Sequence, residues 1–313
     1  MNYIFVNLKR FEVNRKLGGI CLSDNPQLWI ENIINDTIKN GLGEIPDINL
    51  TYMLPEGLLI SALNILYKYE EKQRKNISIG CQGVHMENIR KGGNFGAFTT
   101  FKPAAAVKNI GAKWVVIGHS EERRYLESIF SIYDENALSK QYEKTVQAVN
   151  YIINNEVLCA LESGLNVLLC VGETSFEKGH GSEHEQMKNV EKVLNRQVTE
   201  GLKNIREAKK DCKIVIAYEP VWAIGPGKTP PNANYIKEVG DIIKKTVKGD
   251  FGEDFPVIYG GGLKEENAKE IAGIEVIDGG FIGLTRFTDP IGFNVSELKT
   301  IIGKYKEVDK IIK

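Results

Sequence analysis

"KIVIAYEPVWAIGPGKTPP", residues 213–231, runs from an unbroken apolar core into one carboxylate, Glu219, and then into a loop punctuated by glycine and proline. A strand with one wet face would alternate polar and apolar residues. This one does not, so it reads as a parallel strand covered on both faces. Beyond the loop, residues 232–248 carry apolar residues at helical spacing. The unit is strand, loop, helix. Glu219 is ambiguous when taken alone, because the first polar residue after a strand is usually a solvated charge.

Working outward, the same unit recurs. Further β-rich runs stand at YIFV (3–6), INLTYM (48–53), ISIG (77–80), WVVIG (114–118), NVLLCVG (166–172), PVIYG (256–260) and IEVIDG (274–279). Helical stretches over 26–40, 56–75, 103–111, 134–163, 183–209, 264–272 and 294–309 separate and follow them. No Pro/Ser-rich linker or change of composition divides the series, and one domain can hold 313 residues in such an arrangement. Eight strand-then-helix units predict an α/β fold, a closed (β/α)8 barrel in a single domain over 1–313. A long polar helical insertion around 125–165 is expected on its outside.

Lys+Arg total 40 and Asp+Glu 41, a net charge of −1 that offers no global field for nucleic acid or an anionic membrane. The five cysteines, Cys21, Cys81, Cys159, Cys170 and Cys212, are scattered without a CxxC pair, a reduced pattern rather than a disulfide framework or zinc site. The start, MNYIFVNLKR, reaches Lys9 after too short an apolar run for a signal peptide. No stretch approaches the roughly 20 apolar residues that span a bilayer. A cytoplasmic location is expected.

In a (β/α)8 barrel, chemistry sits at the C-terminal ends of the strands. Asn7 and Lys9 follow the first strand, His119, Ser120 and Glu121 the fourth, Cys170 and Glu173 close the fifth, and Glu219 closes the sixth. The seventh ends in Gly260–Gly262 and the eighth in Asp278–Arg286. An ammonium, an imidazole and a carboxylate can abstract and return a proton beside a carbonyl, while glycine turns can present backbone N–H groups to a phosphate.

These motifs resemble the triosephosphate isomerase family from end to end: VNLKR at the first strand, GAFTT (96–100) in the third loop, IGHSEERR at the fourth, LLCVGET at the fifth, AYEPVWAIGPGKT at the sixth, and YGGG with IDGGFIG at the last two. The resemblance implies a TIM barrel that interconverts dihydroxyacetone phosphate and D-glyceraldehyde 3-phosphate without cofactor or metal. It implies Glu219 as the base, His119 as the electrophile and proton shuttle, and Lys9 as the cation on the intermediate. Asn7 would position substrate, and Glu121 and Ser120 would support the site. Gly225, Gly262, Gly283 and Leu284 would meet the phosphate. Pro220, Val221 and Trp222 would form one hinge of a lid, and Gly227, Lys228, Thr229 and Pro230 its far side. The third loop, residues 92–100, would build a homodimer.

Departures from the family pattern cluster at the phosphate. Gly262 stands where a serine is usual, Leu284 where a glycine is usual, and Pro226 where the lid tip has an N–H. Leu284 tolerates positive φ poorly, and Arg286 could replace a phosphate contact if it points inward. A four-carbon substrate such as erythrulose phosphate is therefore the alternative, and a barrel that only binds is the third reading. GHSEERR also holds one glutamate more than the common motif. His180 and His184, four apart in GHGSEHEQ, read as a solvated loop rather than a metal site, since glycines flank His180 and no third ligand is evident. Cys170 reads as a buried thiol.

Overall fold

The computed structural model describes residues 1–225 and 227–308, so Pro226 lies outside the described residues. Eight parallel strands, β1 (Asn2–Asn7), β2 (Ile48–Leu54), β3 (Ile77–Cys81), β4 (Trp114–Ile117), β5 (Asn166–Val171), β6 (Ile214–Tyr218), β7 (Val257–Tyr259) and β8 (Gly279–Ile282), close into a barrel in sequence order. Their apolar residues divide by parity. On β6, Val215 and Ala217 join Phe5, Met53, Trp114, Leu168, Ile258 and Phe281 in the barrel interior, while Ile214, Ile216 and Tyr218 pack outward against the helices. Both faces are thus dry, which is why the run carries no alternation.

Two elements differ from the sequence expectation. The eighth strand is GGFI rather than IEVIDG: Ile274 ends the helix Glu265–Gly273, and the chain becomes a strand only at Gly279. A Cβ on Gly279 would stand 1.8 Å from the Tyr3 carbonyl oxygen, so the closing strand needs glycine where β-propensity argues against it. Asp278 consequently lies at the foot of the barrel, where its carboxylate accepts from the Val257 N–H at 2.9 Å and pairs with Lys244 at 3.0 Å. It is not a strand-end residue.

The second difference follows β4. Residues 120–163 hold two helices, Ser120–Tyr133 and Tyr142–Glu162. The later helix buries Val146, Val149, Ile153 and Val157 against the barrel. The earlier one has no buried residue, and its charged start disguises it as loop.

Candidate active site

Glu219 immediately follows β6 and is only 4% exposed. One carboxylate oxygen accepts from the Ser120 backbone N–H at 3.0 Å, and the other lies 3.3 Å from His119 Nε2. His119 follows β4 and caps the helix Ser120–Tyr133. Its Nδ1 accepts from the Glu121 N–H at 3.2 Å. An acceptor at Nδ1 places the proton of a neutral ring on Nε2, which can then donate to Glu219 or to a substrate oxygen.

Lys9 occupies a left-handed turn, φ 41°, unusual for a non-glycine residue. Asn7 holds that turn by accepting from the Lys9 N–H at 3.0 Å, and Gln82 at the end of β3 donates to Asn7 Oδ1 at 2.9 Å and to the Lys9 carbonyl at 3.0 Å. The ammonium reaches Glu121 at 2.6 Å. Partial burial raises the Glu121 carboxyl, but the hydrogen bond and charge of Lys9 outweigh this and leave it below its ordinary value. Glu121 therefore faces Lys9 as a carboxylate and also lies 4.0 Å from His119 Nδ1. The chain links the Lys9 ammonium, by way of Glu121, to the His119 imidazole and the Glu219 carboxylate.

The lid leaves β6 through Pro220 and a single turn, Val221–Ala223. Trp222 is tied down: its indole N–H donates to Glu173 Oε1 at 2.6 Å, an oxygen that also accepts from Tyr218 and Tyr235, each at 3.0 Å. Burial raises the Glu173 carboxyl above its ordinary value, and the Trp222 donor, with the two tyrosines, works against that rise. Lys178 caps the Trp222 ring 3.5 Å from its centroid. Gly225, Gly227, Lys228 and Thr229 are exposed, the two glycines at φ 121° and 75°. Replacing Glu173 with Leu strips a common acceptor from three donors and should cost about 2–4 kcal/mol, measured by urea unfolding.

At the phosphate turns, Gly262 has φ 95°, and a Cβ there would meet nothing nearer than Lys264 Cε at 4.0 Å. Its conformation, rather than crowding, favours glycine. Gly283 and Leu284 directly follow β8, and Leu284 does not adopt positive φ, so the strain expected of it is absent. Arg286 is held by a carboxylate rather than standing free. It binds the Glu297 carboxylate through Nε at 2.7 Å and through a second guanidinium nitrogen, and lines a cleft of about 290 Å³ with Arg15, Trp29 and Phe293. Cys170 is wholly buried, and burial pushes its thiol well up. His184 begins a helix, and among the described residues no cluster of three or more His, Cys, Asp or Glu could hold a metal. Among the described residues no helix is long and apolar enough to cross a membrane.

Sequence reading missed Gln82 and gave no task to Glu173 or Arg123. Gln82 and Glu173 stand one and two residues past a strand end, the signal that could have found them, whereas Arg123 lies within the helix Ser120–Tyr133. The bonds of Gln82 to Asn7 and of Glu173 to its three donors join residues 45 to 75 apart.

An imidazole with a fixed tautomer, a buried carboxylate and an ammonium at the C-terminal mouth of a (β/α)8 barrel define an enzyme of acid–base chemistry on a small substrate. The profile of the triosephosphate isomerase family matches residues 52–288. The triosephosphate isomerase of Chlorobium luteolum is 37% identical over 211 residues, 66% of this chain and 70% of its own length. That of Finegoldia magna is 32% identical over 258 residues, covering 82% and 90% of the two chains. The crystal structure of triosephosphate isomerase from Bartonella henselae superposes with a TM-score of 0.64 at 25% identity, over 97% of this chain and 99% of that one. The chain belongs to the triosephosphate isomerase family, and it is an isomerase.

Proposed function

We propose that the chain interconverts dihydroxyacetone phosphate and D-glyceraldehyde 3-phosphate, the reaction by which its relatives are named, with Glu219 as the base. The observation that carries this reading is the convergence of Glu219 and the Nε2–H of His119 at 3.3 Å, directly before the lid. Glu219 takes a proton from the carbon beside the carbonyl, and electrons shift to the carbonyl oxygen. His119 donates to that oxygen, Lys9 offsets the negative charge of the enediolate, and Asn7 fixes the substrate beside Lys9. Glu219 then returns the proton to the former carbonyl carbon, while His119 carries the hydroxyl proton of the first carbon to the former carbonyl oxygen, leaving the new carbonyl on the first carbon. To reach substrate it must leave the Ser120 N–H. Lid closure moves Trp222 off Glu173 and brings Gly225 toward the phosphate that Gly262, Gly283 and Leu284 hold by backbone N–H groups. It also excludes water, which would let the intermediate shed phosphate.

Side-by-side kcat/KM on glyceraldehyde 3-phosphate and on both erythrulose phosphates tests the substrate. The expected triose value approaches the diffusional ceiling of about 10⁸–10⁹ M⁻¹s⁻¹. A weak triose value beside a strong tetrulose one would assign the Gly262 and Leu284 changes to specificity and overturn the three-carbon reading.

A homodimer through residues 92–100 belongs to the same proposal. Phe95 at the tip of that loop is 92% exposed at φ 54°, an apolar side chain presented outward on a strained turn. The balanced charge and five free, buried cysteines support a cytoplasmic protein whose partner is a small phosphorylated sugar rather than nucleic acid.

A further inference from the structure

We propose that Glu122 and Glu156, joined through one shared proton, are positioning residues that hold the peptide before His119 and thereby aim its imidazole. Glu122 is the additional glutamate of GHSEERR. Its Oε2 accepts from the Gly118 N–H at 2.6 Å. The next residue, Arg123, donates to the Gly118 carbonyl at 2.9 Å, and also to the Cys170 carbonyl at 3.1 Å and Asn150 Oδ1 at 2.9 Å. Both polar groups of Gly118, which sits at φ 75°, are thus clamped by side chains. His119 is the following residue, so the clamp fixes where its ring begins.

The clamp is itself anchored. Glu122 hydrogen-bonds to Glu156 on the helix Tyr142–Glu162. Glu122 is partly buried and Glu156 only 7% exposed, with an Oε2 that receives no N–H donor. Two carboxyl groups in hydrogen-bond contact in such a setting cannot both be ionised, and a carboxyl without its proton has nothing to donate. Burial raises the Glu122 carboxyl as well, and the Gly118 N–H, Glu156 and Arg123 work against that rise and favour charge there. The proton therefore belongs to Glu156, whose carboxyl is pushed up to about 10, first by burial and then by the charge of Glu122. The other charged or titratable groups that face the pair are Arg123 from the helix of Glu122, His119 at its cap, Cys170 on β5, Lys102 from the loop after β3, and Cys159 from the helix of Glu156. The role in catalysis rests on the isomerase reading above, whereas the shared proton stands apart from it.

The test compares the wild type with Glu156→Gln and Glu156→Leu, reading kcat and KM on glyceraldehyde 3-phosphate and urea unfolding at pH 6 and pH 8. Glutamine keeps an N–H donor toward Glu122 and has no proton to lose. Its kcat should stay within about threefold of the wild type. Leucine removes the donor, and kcat should fall about 10²-fold with KM within about threefold, as for a misplaced catalytic group. The sign of the pH effect follows from linkage. The folded wild type keeps a proton that the unfolded chain gives up near the ordinary carboxyl value of 4.5. That stabilising contribution is complete below 4.5 and is lost as pH rises toward about 10. From pH 6 to pH 8 the folding equilibrium constant of the wild type should fall about 100-fold relative to Glu156→Gln. Equal pH dependence in the two proteins would overturn the shared proton. A folded leucine variant with unchanged kcat, or a glutamine variant as slow as leucine, would overturn the positioning role. If leucine prevents folding, the glutamine kcat and its pH dependence still decide. A wild type inactive on the triose would sink the isomerase reading and, with it, the role in catalysis, while the pH arm would still report on the proton.

Discussion

Glu219→Asp should lower kcat on glyceraldehyde 3-phosphate by about 10²–10³-fold with a small change in KM. The substitution keeps the charge and the carboxylate chemistry but withdraws the group by one methylene. In the resting enzyme the glutamate spans the gap to the Ser120 N–H at 3.0 Å and to His119 at 3.3 Å, and those distances leave little slack. A base that must swing from that berth onto a substrate carbon loses reach when shortened. Steady-state kinetics in both directions checks it, because one base serves both carbons and both directions should fall together. A loss confined to one direction, or a change below threefold, would remove Glu219 from that role. Urea unfolding controls for damage: Glu219 is nearly buried, yet aspartate leaves its charge in place.

Lys9→Met should reduce kcat/KM by at least about 10³-fold, a loss carried by both kcat and KM, because the ammonium meets charge both in the bound phosphorylated substrate and, more strongly, in the enediolate. Methionine preserves most of the length and leaves the left-handed turn in place. The fall therefore reports charge rather than packing. The turn at φ 41° costs of order 1–3 kcal/mol and is held by Asn7 and Gln82. Such strain persists only where surrounding bonds enforce it. In the variant, Glu121 loses the partner that lowers its carboxyl, so that carboxyl should titrate closer to its ordinary value, visible by NMR. An active Lys9→Met protein would show that the cation is dispensable.

The barrel was legible because its strands are dry on both sides: the unbroken runs at 213–218 and 166–171 leave no other class of sheet. The groups proposed as catalytic could be singled out because each stands one or two residues past a strand. What stayed hidden depended on contacts rather than local pattern. Strand β8 begins with two glycines that no propensity rule would place in a strand; the Tyr3 backbone beside Gly279 and the Leu263 side chain beside Gly280 explain them. Helical chain was expected around 125–165, but the start of the helix Ser120–Tyr133 was not, because that helix buries no residue and so shows no apolar stripe. Arg286 looked free to meet phosphate until Glu297, eleven residues on, proved to hold it. Leu284 threatened strain that its backbone never takes on.

The seam of the barrel joins β1 to β8, Tyr3 to Gly279 and Val6 to Ile282. The first strand made is thus completed by the last. During synthesis at about 5–20 residues per second, β1 would present an unpaired edge for roughly 15 to 55 seconds before its second neighbour emerges. An open parallel edge of that lifetime invites pairing with other chains. A chain cut before Gly279 would not be a seven-stranded version of the same molecule, for it would keep two raw edges and an uncovered interior. Glycine at 279 is then the residue that lets the molecule stop being a sheet.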